Sequence, residues 1–322
     1  MLDDIRTLLE RRQVAIYFLF IAAGVAVALA LPQATVLESF INPALALMLF
    51  LTFLQIPLSD LPKSFLNKRF LLCLILVNFV LMPMVAALLA RFLPPEPLLR
   101  LAVLLVLLAP CIDYVVTFTH LGEGDAKTLL AATPLLLILQ MLLLPVYLGL
   151  LLGSDVRQLI RPEPFINAFI WLIAIPLIVA GIVQAAAARA EPMARLNALL
   201  SVLPVPSTAV VLFLVLASVM PRVGDASTAA LAALPIYIAY AVVAPLCGWF
   251  VAQALRVNQP AALAVAFSAA TRNSLVVMPF AFVIPGGVPV IPAVIVTQTV
   301  VELLSELVYV RVLKRLPVRS NS

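Results

Sequence analysis

Polar positions in this chain come in short clusters, separated by apolar runs with the length of a bilayer crossing. Ten such runs follow one another, at about 14–31, 40–58, 70–92, 98–120, 128–150, 165–187, 197–220, 229–254, 260–284 and 290–313. Each is near the ~20 residues a helix needs to span hydrocarbon. The connections are short and leave no room for a soluble domain. Residues 1–13 read as an amphipathic or surface lead-in. The pattern predicts an all-α polytopic membrane protein with ten transmembrane helices.

Two of the ten runs are not plain spans. The fourth contains Leu108-Ala109-Pro110-Cys111-Ile112-Asp113, followed by Thr117, Thr119 and His120. The ninth contains Ala270-Thr271-Arg272-Asn273-Ser274, followed by Pro279. A proline removes a main-chain donor, and a charge in hydrocarbon is costly unless it faces a cavity or a partner. Both runs are therefore predicted to be broken helices. Facing each other at mid-membrane, they would form a transporter site.

The two halves resemble each other. Asn78-Phe-Val-Leu-Met-Pro83 recurs in outline as Tyr240-Ala-Val-Val-Ala-Pro245, and Gln140 through Tyr147 recurs as Glu302 through Tyr309. A five-span unit ends on the side opposite its start, so a second copy enters inverted. The expected organisation is an N-terminal repeat at 1–155 and a C-terminal inverted repeat at 162–316, interlocked rather than forming separate soluble domains.

Charge placement agrees with that count. With the N-terminus inside, fourteen Lys and Arg fall on the inner side, five on the outer, and Arg272 lies within a span. The bias predicts both termini cytoplasmic, in the plasma (inner) membrane. Composition points the same way: 65% of residues are hydrophobic and 11% charged, against roughly 25% charged in a soluble domain. The net charge of +5 calls for no nucleic acid, because the basic residues gather at segment ends. No cleavable signal pattern follows the first apolar run. Cys73, Cys111 and Cys247 have no metal-ligand spacing. No Walker A, H-E-x-x-H or G-x-S-x-G motif is present, which argues against an ATP motor on this chain and against an enzyme.

Candidate chemistry lies in the buried polar residues. Asp113 is read as a cation- or proton-coupling group and Arg272 as its partner or as an anion-attracting charge. Thr117 and Thr119 follow Asp113. Ser268, Thr271, Asn273 and Ser274 surround Arg272, where oxygen ligands at a break suit Na⁺ as well as they suit caps. Cys111 offers a thiol to a soft metalloid, or simply packs. Glu302 and Glu306 share one helix face with Gln298 and suggest a proton relay or a brace. Gln140 is the first-half counterpart of Glu302, and Asn78 a polar anchor near Pro83. Gln55, Ser207 and Thr208 are candidates to line a cavity, while His120 reads as a boundary residue.

Asn42-Pro43 through Leu45-Ala-Leu-Met48, the Asn78 to Pro83 segment, the Cys111-containing span and the Asn273-Ser274 break resemble the bile acid:sodium symporter superfamily. They are more similar still to its arsenical-resistance branch. The resemblance implies a ten-span inverted-repeat fold with panel and core domains, crossing broken helices four and nine, and alternating access. It also implies that Cys111 is needed to move trivalent arsenic or antimony against protons. Pro110 stands where that branch has Arg, and Ser274 where it has a glutamate. The acid and the base are exchanged between the two breaks.

Taken together, these readings give a secondary transporter: proton- or ion-coupled efflux of arsenite, antimonite or a related small oxyacid. The alternative is sodium-coupled symport of an organic anion. The expected substrate-binding residues are Cys111, Arg272, Asn273, Ser274 and Asn78. The expected coupling residues are Asp113, Thr117, Glu302, Gln298 and Gln140. Partners are the lipid bilayer and a small inorganic or organic anion or oxyacid; no cofactor or metal is expected beyond the coupling ion, H⁺ or Na⁺.

Overall fold

The computed structural model describes residues 2–55, 67–112, 114–152, 163, 166–167, 169–223 and 226–316. Thirteen α-helices carry these residues, and no strand occurs among them. They are α1 Leu2–Ala30, α2 Ile41–Leu54, α3 Lys68–Ala90, α4 Pro97–Leu107, α5 Tyr114–Leu121, α6 Ala126–Leu151 and α7 Ile175–Ala187. The rest are α8 Glu191–Leu200, α9 Pro204–Val223, α10 Ser227–Ala254, α11 Gln259–Ala270, α12 Ser274–Val283 and α13 Val290–Val312. Among the described residues, eight helical stretches are long and apolar enough to cross a membrane. The fourth and ninth apolar runs instead carry the short pairs α4 with α5 and α11 with α12.

The surface is inside-out relative to a soluble protein. Leu19, Leu29, Met84, Leu142, Trp171, Ile182, Leu231 and Phe250 are exposed, while Asn78, Gln140, Arg272, Gln298, Glu302 and Glu306 are buried. Lipid covers such a face without cost, whereas every buried polar group needs a partner. The helix ends show how that need is met. Asn67, Asp125, Asn258 and Asn273 are N-caps whose side chains accept the N–H of Phe70, Thr128, Ala261 and Val276. These satisfy donors that a helix cannot pair internally.

Three carbonyls that prolines leave without a main-chain donor are met by side-chain hydroxyls. Pro83 and Pro245 lack the N–H that the carbonyls of Phe79 and Ala241, four residues earlier, would receive. The Tyr147 hydroxyl donates to Phe79 O, and the Tyr309 hydroxyl donates to Ala241 O. In α6, Thr133 Oγ1 donates to Leu130 O, the carbonyl that Pro134 leaves unpaired. The turn before Pro83, Val77–Leu81, is widened into a π-turn, a local form common next to sites.

Contacts sort the chain into two compact units. One comprises Met1–Leu58 with Glu163–Ser227, the other Ser59–Pro162 with Thr228–Ser322. In the first, α9 packs along α1 and α2, and α7 lies against α2. Gly24 of α1 permits the closest approach: a Cβ there would stand 2.9 Å from Phe213 O. In the second, α13 packs on α4, α5 and α12, and α11 on α3, α5 and α6.

Two expectations need correction. Residues 2–13 are no separate lead-in but the first turns of α1, since no proline or glycine interrupts helix-forming residues before Gly24. The run at 197–220 holds one span, but it starts later: residues up to Leu200 belong to α8, and the apolar helix α9 begins at Pro204, where a proline suits the first helical turn.

Candidate functional site

Within the second unit, α4 and α11 both stop deep in the protein, and the residues after them meet. Pro110 and Arg272 form an antiparallel bridge. Asn273 N donates to Ala109 O at 2.7 Å and Cys111 N to Thr271 O at 3.1 Å. This pattern, with the bonds flanking the pair rather than within it, is the one a proline allows, because Pro110 has no N–H to give. It also leaves the Arg272 N–H outside the ladder. That N–H donates to Glu302 Oε2 of α13 at 2.6 Å.

Glu302 gathers two further donors. Tyr114 at the start of α5 bonds Oε1 through its hydroxyl, and Gln298 Nε2, one turn back on α13, bonds Oε2. Its neighbour Glu306 accepts from Thr271 Oγ1, while Glu306 Oε2 has no partner among the described residues. Ser274 Oγ pairs with Thr299 Oγ1 at 2.9 Å. The four-residue spacing along α13 puts Gln298, Glu302 and Glu306 on the face that meets this break.

The Arg272 side chain is fully buried. Its Nη2 donates to Asn78 Oδ1 at 2.9 Å, Ser268 O at 2.7 Å and Ala269 O at 2.5 Å, and Nη1 reaches Leu107 O at 3.4 Å. The Tyr240 ring lies 5.5 Å from the guanidinium carbon, within range of a cation–π contact, and its hydroxyl donates to Ala269 O. Asn78 is held by Nδ2 donation to Leu74 O and Ser268 Oγ. Gly248 lets α10 carry Tyr240 this close: a Cβ there would lie 2.8 Å from Ala269 Cβ and 3.1 Å from Val265 O. Beside the cluster, Leu107, Tyr237, Tyr240, Gln298, Glu302 and Tyr309 border a narrow cleft.

The structure thus brings together Asn78, Arg272, Gln298 and Glu302, with Asn273 and Ser274 at the same break. Cys111 joins them through its main chain, and its thiol is buried and not in a disulfide. Asp113 lies outside the described residues. Among those residues no hydrogen bond ties Thr117 or Gln140 to the cluster, and the Gln140 amide is buried without a partner. His120 is exposed. Gln55, Ser207 and Thr208 belong to the other unit, where the Ser207 hydroxyl bonds back to Pro204 O. No cluster of three metal-ligating side chains occurs among the described residues. Sequence reasoning missed Tyr114 as a partner of Glu302, and took Tyr240 only for a repeat marker. The available signal was a tyrosine hydroxyl placed in hydrocarbon, which needs an acceptor.

Apolar spans outside, a buried arginine and carboxylates inside, and a main-chain crossing between helix ends define a multi-pass membrane protein of the transporter class. The sequence matches the Sodium Bile acid symporter family over residues 42–228, more than half of its 322 residues, and the chain belongs to that family. Its members are membrane transporters rather than enzymes. No curated protein matches the chain.

Proposed function

We propose that this protein is a proton-coupled secondary transporter that exports arsenite, antimonite or a related small oxyacid by alternating access. In this reading it has ten crossings in two inverted halves, 1–155 and 162–316, with α4–α5 and α11–α12 each making one broken crossing. Equivalent contacts support the repeat: the offsets from Tyr147 to Tyr309, Phe79 to Ala241 and Pro110 to Arg272 are all 162 positions. The two bonds flanking the crossing exchange under the same offset, as contacts across a twofold axis do.

The observation that carries the coupling is Glu302, a buried carboxylate that accepts from Tyr114, Gln298 and the Arg272 N–H. A proton arriving there turns one oxygen into a donor. Tyr114 can receive it, because a phenolic hydroxyl is both donor and acceptor, whereas a main-chain N–H cannot. Protonation therefore changes the tie between Glu302 and α5 and leaves Glu302 Oε2 with the crossing. Tyr237, Tyr240 and Tyr309 border the same cleft, and Arg272 and Glu306 are further titratable groups beside it. Asp113 is assigned a coupling role with it. The substrate part of the proposal rests on the Cys111 thiol at the crossing, where exchange at a single thiol permits release.

Sodium-coupled symport of an organic anion is the second reading, and it is equally in keeping with the family. Flux of labelled arsenite into everted membrane vesicles separates the two, with the proton gradient and Na⁺ varied independently. Gradient-driven uptake that is lost in Glu302→Gln and Cys111→Ser supports the first reading. Uptake unchanged in Glu302→Gln refutes the coupling assignment. Absence of arsenite flux together with Na⁺-dependent organic-anion uptake establishes the second.

A further inference from the structure

The guanidinium of Arg272 is used in an unusual way. An arginine normally engages a carboxylate through its planar fork, with two parallel bonds. Here Nε has no partner among the described residues, and no carboxylate among them lies within ion-pair reach of the guanidinium. Instead three oxygens, Asn78 Oδ1, Ser268 O and Ala269 O, converge on Nη2 at 2.5–2.9 Å. That nitrogen carries two hydrogens, so acceptors outnumber them. Leu107 O, at the end of α4, accepts from the neighbouring Nη1 at 3.4 Å.

Three of the four oxygens are carbonyls at or near the C-terminal ends of α4 and α11, which those helices leave unpaired and which carry the negative end of each helix dipole. Uncharged oxygens converging on one point are a seat for a compact cation rather than a fork-shaped one. Carbonyls at the ends of interrupted helices are what bind alkali cations in transporters.

We propose that Arg272 is a resident cation. Its guanidinium fills, from within the chain, an oxygen-lined seat that would otherwise take Na⁺, so this position holds a fixed positive charge and admits no mobile coupling cation. Emptying the seat creates a Na⁺ site. The inference needs no assumption about the transported substrate, and its test reads stability, not flux.

The experiment follows thermal unfolding of the full-length protein in detergent, in choline, sodium or potassium chloride at equal ionic strength. Wild type should unfold at the same temperature in all three salts. Arg272→Gln should be less stable in choline and should recover saturably with Na⁺, a response abolished by adding Asn78→Leu, which removes one ligand. Arg272→Lys keeps a point charge without the fork, and should fold, stay closer to wild type than Arg272→Gln, and ignore Na⁺. A Na⁺ response in Arg272→Gln no larger than in wild type overturns the proposal, as does one that survives Asn78→Leu. If Arg272→Gln does not fold in any salt, the Lys variant decides: behaviour like wild type upholds the point-charge seat, and failure to fold refutes it.

Discussion

Tyr309 and Pro245 make a sharp test of how this fold tolerates helix breakers. Pro245 leaves Ala241 O without its main-chain donor, and the Tyr309 hydroxyl supplies one from α13. Tyr309→Phe keeps the ring and its edge-on contact with Phe267, with centroids 6.4 Å apart, and removes the hydroxyl that bonds Ala241 O and meets Ser305. Side-chain hydrogen bonds in membrane proteins are worth about 0.6 kcal/mol on average and about 1.7 at most. Because the carbonyl is left with neither a main-chain nor a side-chain donor, the expected loss is in the upper half of that range, about 1–1.7 kcal/mol. Pro245→Ala restores an N–H to the helix, so Ala241 O no longer depends on Tyr309. In that background Tyr309→Phe should cost about 0.5 kcal/mol or less, a coupling of at least about 0.5–1.2 kcal/mol between two residues, against a usual additivity error of about 0.3–0.5 kcal/mol. The assay is unfolding in mixed micelles titrated with a denaturing detergent, followed by circular dichroism, for all four proteins. An equal cost of Tyr309→Phe in both backgrounds would refute the reasoning.

The first-half copy, Tyr147 with Phe79 O, should lose a comparable amount in Tyr147→Phe by the same assay, which checks that the two tyrosines do one job. Asn78→Leu removes an acceptor from the guanidinium and a donor from Ser268. It should cost about 2–3.5 kcal/mol, counting the charge-assisted bond at ~1.5–3 and the neutral one at ~0.6. Asn78→Asp keeps the acceptor and should cost far less, so equal losses would speak against the contact. Gly248→Val forces a branched side chain against Ala269 and the Val265 carbonyl, where nothing can rotate away. Destabilisation of about 1–3 kcal/mol is expected in thermal unfolding, and a wild-type midpoint would contradict the packing.

Hydropathy made the apolar segments legible because crossing hydrocarbon imposes a length, and the two interruptions were legible because Pro110, Asp113, Arg272 and Asn273 are out of place in lipid. The shared face of Gln298, Glu302 and Glu306 followed from helical spacing alone. What Arg272 touches did not. Three of its four acceptors are main-chain carbonyls, which every residue carries and no sequence marks. A charge-matching argument looks to Asp113, which lies outside the described residues, and has no reason to name the carbonyls of Ala269 and Leu107. Tyr114 was hidden for another reason: tyrosine scores as apolar in a span, although its hydroxyl decides where it can sit. The boundary at Leu200–Pro204 was lost because leucines on both sides kept the average hydrophobic across a break in direction.

The main-chain crossing also has a bearing on biogenesis. Leu107 O and Ala109 O find their donors on Arg272 and Asn273, and Leu107 and Arg272 are 165 residues apart. During synthesis the first half enters the bilayer well before those donors are made. Until then its interrupted helix holds polar atoms that hydrocarbon cannot satisfy. A chain stalled or truncated after α6 therefore carries a built-in mark of incompleteness, which only synthesis of the break after α11, with Arg272 and Asn273, can erase.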